Sequence, residues 1–77
     1  MNHYIIARRN KVTRALEFLR VLDCGKHQWL IDRRTSTIYN RTQMEKKCKT
    51  LTKYGKHSCT YFPIYVFQQD ELFNSNQ

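Results

Sequence analysis

The chain is poor in most of the features that advertise an activity. Two glycines and one proline in 77 residues leave no glycine-rich loop to cradle a phosphate and no nucleophile elbow. No carboxylate pair stands at a spacing suited to acid–base work, since only six acidic residues are present. There is no run of about 18 apolar residues, so no membrane span is expected. The first eight residues, Met1 to Arg8, lack the charged start and long apolar stretch of a secretion signal. Cys24, Cys48 and Cys59 are odd in number. Reduced thiols in a cytoplasmic protein are therefore expected. No repeat, low-complexity tract or linker interrupts the chain.

What the chain does have is positive charge, unevenly placed. All fourteen Lys and Arg residues lie between Arg8 and Lys56, against four acids in residues 1–56. That segment carries a net +10, and the remainder carries −2 from Asp70 and Glu71. Charge this concentrated attracts polyanions, because each neutralised phosphate releases condensed counterions. The hydrophobic fraction of 40% and ten aromatic residues argue against disorder. One basic domain is expected over residues 1–67, followed by a polar tail, 68–77. A core this small gains from self-association, which leaves a homodimer open.

Residues 3–8 (HYIIAR) predict a first strand. Asn10 is placed to cap a helix to about Asp23, with Val12, Ala15, Leu16, Phe18, Leu19 and Leu22 on one side and Gly25 as its left-handed stop. Residues 27–33 and 37–39 read as a hairpin. Thr42 and Glu45 have capping-box spacing and predict a helix from there to Tyr54, ended by Gly55. Thr60 to Phe67 is strongly β-forming, with Pro63 favouring an edge position. The order β-α-β-β-α-β implies an α+β, ferredoxin-like sandwich: a four-stranded antiparallel sheet with two helices on one face.

The basic residues fall into groups. Arg8, Arg9, Lys11 and Arg14 span the junction of the first strand and the expected helix, where guanidinium groups would stand beside free backbone N–H groups. Lys46, Lys49 and Lys53 align along one side of the second helix, and like charges at that spacing repel. A sequence that carries such a row is suited to facing an anion. Arg33, Arg34 and Arg41 mark the hairpin tip and the start of that helix. Each group also admits a plain reading as solvated surface.

Tyr4, Trp29, Tyr61 and Tyr65 are the candidates for stacking unpaired bases, on a sheet face left open by the helices. The same rings could instead complete a small core. The Lys/Arg-Gly-aromatic-Gly-aromatic signature of an RNA-recognition motif is absent. Cys24-x2-His27 and His57-x-Cys59 supply four soft donors, but the second spacing is unusually tight. No metal or cofactor is expected. His3, His27, His57, Arg41 and Tyr65 are residue types that a small metal-independent ribonuclease uses, yet no spacing singles out a catalytic set.

Two functional expectations follow. The first is a non-catalytic nucleic-acid-binding protein that favours RNA or single strands over duplex DNA. The second is a phage-type inhibitor or antitoxin directed at a host protein such as a ribonuclease toxin or defence enzyme, with or without RNA. An exposed apolar segment from Phe67 to Phe73, next to the Pro63 strand, would favour the second.

Overall fold

In the computed structural model, which describes residues 3–66, four strands form one antiparallel sheet with the order β3-β2-β1-β4. The strands are β1 (His3–Asn10), β2 (Leu16–Val21), β3 (His27–Leu30) and β4 (Cys59–Val66). A 3-10 turn, Arg33–Thr35, and one α-helix, α1 (Arg41–Tyr54), lie between β3 and β4. The class is α+β. The described residues hold one α-helix rather than two, so the ferredoxin-like arrangement is replaced by a three-stranded meander extended by a helical crossover.

The difference lies in residues 10–23, where a helix was expected and β2 forms. As predicted for a cap, the Asn10 carboxamide accepts from the backbone N–H of Val12 at 2.8 Å and of Thr13 at 2.9 Å. These bonds close a turn rather than open a helix, because Asn10 N–H donates to the Ala15 carbonyl at 2.9 Å and the chain reverses into β2. Arg14 completes the reversal in the left-handed region, at φ 67°. Val12, placed on the apolar side by the helical reading, is 83% exposed. Gly25 is left-handed as expected, at φ +88°, but it turns β2 into β3 instead of ending a helix.

The expected hairpin between residues 27–33 and 37–39 is also rearranged. β3 pairs with β2, with Leu19 opposite Trp29. Residues 37–39 enter the split where β1 and β2 diverge. Tyr4 and Tyr39 exchange backbone hydrogen bonds of 2.8 and 2.7 Å, and Thr37 N–H donates to the Leu19 carbonyl at 3.0 Å. Neighbours in this segment serve opposite faces, as period-two geometry requires: Ile38 packs with Ile5, Ala7 and Phe18, whereas Tyr39 packs with Ile6 and Leu19.

The helix forms close to the expected place. Its N-cap is Asn40, whose side chain accepts from Gln43 N–H at 2.8 Å while the Gln43 side chain returns a bond to Asn40 N–H at 3.2 Å. This reciprocal pair, not Thr42 with Glu45, is the capping box. Met44 and Leu51 are buried, and Cys48 and Leu51 pack on the Ile6–Leu19 face of the sheet. Burial pushes the Cys48 thiol pKa up, as befits a core-facing cysteine. Ile5, Ile6 and Leu19 are fully buried, each contributing on the order of 1.5–3 kcal/mol from area removed from water.

β4 is an edge strand, and Pro63 sits opposite Ile6 within it. This is the position its missing N–H favours. Phe67 and the tail 68–77, including Leu72 and Phe73, lie outside the described residues.

Gly55 ends α1 for a steric reason. A Cβ built there would come within 2.6 Å of the Tyr61 ring and would also strike the Leu51 carbonyl oxygen. Gly55→Ala is therefore expected to cost roughly 1–3 kcal/mol through overpacking. Urea unfolding checks this: the midpoint should fall while the denaturant slope stays constant.

Candidate nucleic-acid interface

One backbone hydrogen bond brings two distant basic segments together. Lys11 N–H donates to the Ser58 carbonyl at 2.8 Å, which ties the β1–β2 turn to the loop after α1. Lys11, Lys56 and His57 then line one cleft of about 210 Å³, closed on the helix side by Thr52. Arg9 reaches across the turn and donates to the Arg14 carbonyl at 3.2 Å. Lys53 lies in the last turn of α1. Lys11 and Lys56 thus share one cleft, with Lys53 in the adjacent last turn of α1, whereas Arg9, in step with Ile5 and Ala7, points to the face away from α1 and contacts Arg14. Among the described residues, none of these five forms an ion pair with a carboxylate.

The remaining candidates are dispersed. Arg8 points to the helix-covered face, pairs with Glu17 at 2.9 Å, and lies 4.3 Å from the centre of the Trp29 ring. Its side chain is only 14% exposed, so it braces the sheet rather than reaching outward. Arg33 and Arg34 sit in the 3-10 turn beyond β3. There Arg34 grips Asp32 at 2.8 Å and holds that carboxyl well below its usual range, at about 2. Arg41 opens α1 and stands 3.9 Å from Glu45. Lys46 and Lys49 are exposed on α1 with Lys53, as the row predicted. Only three of the fourteen cations meet a carboxylate among the described residues.

The four candidate rings do not form a platform on an open face. Register places Tyr4 opposite Tyr65 and Arg8 opposite Tyr61, all in step with Ile6 and so on the side that carries α1. Tyr4 and Tyr65 meet edge-on at 5.4 Å between centroids, and Trp29 and Tyr61 meet at 5.6 Å. The Trp29–Tyr61 pair borders a second cleft, of about 360 Å³, with Tyr54, Lys56 and His27 on its rim. Lys56 and Tyr61 belong to both clefts, so the basic end and the aromatic cleft are continuous. Sequence reasoning passed over Tyr54 as a binding residue, noted Lys56 only as a neighbour of the lysine row, and weighed His27 only for zinc or catalysis. The available signal was the run Lys53-Tyr54-Gly55-Lys56, an aromatic between two lysines at a helix stop.

Lys47 Nζ lies 2.7 Å from His27 Nε2. An ammonium only donates, so the ring accepts with that nitrogen unprotonated. Partial desolvation first, then the Lys47 charge, lower the His27 pKa below its ordinary 6.5. The unfolded chain therefore takes up this proton first as pH falls. The folded state loses stability as pH drops through 6.5, and the loss is complete below the lowered folded value. His27→Gln should remove this component, seen in urea midpoints measured at pH 7.5 and 5.5.

The residues considered for catalysis and for zinc do not converge. His3 faces Val66 at one end of the β1–β4 pairing, while His57 precedes Cys59, which faces Asn10 at the other end. His27 faces Val21 at the last β2–β3 pair, with Cys24 in the turn before it. Tyr65 stands against Tyr4, and Arg41 lies at the helix start. Among the described residues, no group of three or more His, Cys, Asp or Glu side chains is placed to hold a metal ion. No helix in that range is long and apolar enough to cross a membrane. Compared with family models, curated proteins and solved structures, the chain matches none.

Proposed function

We propose that this chain is a small, basic, non-catalytic nucleic-acid-binding protein of the cytoplasm that prefers RNA or other single strands to duplex DNA. The observation that carries the reading is the meeting of Lys11 and Lys56 beside an aromatic cleft, with Lys53 in the neighbouring last turn of α1. Unpaired cations on two segments tied by the Lys11–Ser58 bond suit a phosphate backbone, and adjacent rings suit unpaired bases. Preference for single strands is supported by the aromatic cleft of Trp29, Tyr54 and Tyr61, whose rings can stack only on bases that are unpaired.

The alternative, an inhibitor that docks on a host protein, draws less support from the described residues. Both sheet edges are blunted against strand addition, β3 by its four-residue length and β4 by Pro63. The segment from Phe67 to Phe73 that would favour this alternative lies outside the described residues.

The experiment is binding of labelled single-stranded RNA, single-stranded DNA and duplex DNA across a salt series. Five to six phosphate contacts on a single strand correspond to a log–log slope of about −4. Weak binding to all three at physiological salt would reject the proposal and direct attention to an acidic protein partner.

A further inference from the structure

We infer that the cleft between Trp29, Tyr54 and Tyr61 receives one unpaired nucleobase, with its flanking phosphates held by Lys56 at the rim and by Lys47 beside His27. This rests on the nucleic-acid reading above and names the subsite that would distinguish a base-bearing strand from a bare polyanion.

The walls differ in a way that suits insertion. Trp29 and Tyr61 form the fixed side. Arg8, itself held by Glu17, sits over the indole. The Tyr61 hydroxyl accepts from Lys56 N–H at 2.9 Å, and its ring rests on the bare backbone of Gly55. These bonds hold the sheet-side rings in place before any ligand arrives, which lowers the ordering cost of binding. Tyr54 forms the opposite side and is 74% exposed. An aromatic ring left in water on the last turn of a helix has little role in this core, but it can close over a flat ligand.

The charge around the cleft selects the occupant. Its lining contains no carboxylate and includes Lys56 and His27. Lys47 touches His27 at 2.7 Å, and Lys53 stands 5.3 Å from the centre of the Tyr54 ring. An apolar peptide side chain would satisfy the rings and leave three lysines unanswered. A nucleotide supplies both a π-face and an anion. The volume of about 360 Å³ lies at the small end of the range for ligand sites, which suits one base better than a stacked run.

Trp29 is the single tryptophan of the chain, so its emission reports on this cleft directly. The test titrates the full chain with a single-stranded oligonucleotide, an abasic strand of equal length and heparin, following both Trp29 emission and affinity. The expected result is quenching by the base-bearing strand alone, together with tighter binding of that strand than of the abasic one. Tyr54→Ala should reduce the affinity advantage roughly 5- to 150-fold, the range for loss of one stacked base, and leave abasic binding unchanged. Equal binding of both strands without quenching would overturn the cleft assignment and leave phosphate binding standing. Failure of all three polyanions to bind would overturn the nucleic-acid reading and the cleft with it.

Discussion

Replacing Lys11, Lys53 and Lys56 together by glutamine is expected to reduce the salt slope for single-stranded RNA by about two units, since each single-strand phosphate contact contributes about 0.7. At 0.15 M salt the corresponding loss of affinity is roughly 50-fold. All three side chains are exposed and form no ion pair among the described residues, so the fold should tolerate their loss. Lys49 and Lys53 also repel each other at i, i+4, and α1 should gain a few tenths of a kcal/mol from removal of one. The control is Arg33→Gln with Arg34→Gln, in the 3-10 turn where Arg34 is already committed to Asp32. That pair should leave the slope nearly unchanged. A filter-binding or anisotropy series on both variants, with thermal melts alongside, separates lost contacts from lost structure.

Leu19→Ala is expected to destabilise the protein by about 2–5 kcal/mol, a large share of the stability of so small a domain. Leu19 is fully buried on β2, packed with Ile6 and with Leu51 from α1. Removing it opens a cavity where helix and sheet meet. Val12→Ser provides the contrast: Val12 is 83% exposed in the β1–β2 turn, and the change should stay within about 0.5 kcal/mol. A helix over residues 10–23 would bury both side chains and make both substitutions costly. Urea unfolding of the two variants therefore tests the strand assignment as well as the core.

Why β2 read as a helix has a physical answer. In a strand exposed on one face, apolar residues alternate with polar ones, but β2 lies between β1 and β3 with both faces lined by core. Leu16 and Phe18 serve one face, and Leu19 and Val21 the other. The resulting near-continuous run fits a helical stripe equally well, and periodicity alone does not separate the two. Asn10 reinforced the helical reading, because a side-chain oxygen that accepts from residues two and three ahead makes the same bonds in a turn as in a cap. Strands with a clearer signature were legible: β1 from its β-branched start and β4 from its aromatic run, with Pro63 marking the edge. The apolar stripe of Met44, Cys48 and Leu51 fixed the face of α1 even though its cap lay two residues earlier.

The candidate site was legible in composition and hidden in arrangement. That Arg9, Lys11, Arg14 and Lys53 carry unpaired charge follows from the scarcity of acids. The meeting of Lys11 with Lys56 depends on the Lys11–Ser58 backbone bond and on the β1–β4 register, both long-range facts. Arg8 shows the opposite case. Arg9 and Lys11 follow it closely in sequence, but strand alternation turns Arg8 inward to Glu17 and Trp29.

The most direct test of the central claim is the amide NMR spectrum of the protein titrated with a short single-stranded RNA. Binding at the basic end with base insertion predicts the largest shifts in residues 9–15 and 53–61 and at the Trp29 indole, with Arg33 to Thr35 little changed. Shifts centred on that 3-10 turn, or scattered evenly over the surface, would contradict the account.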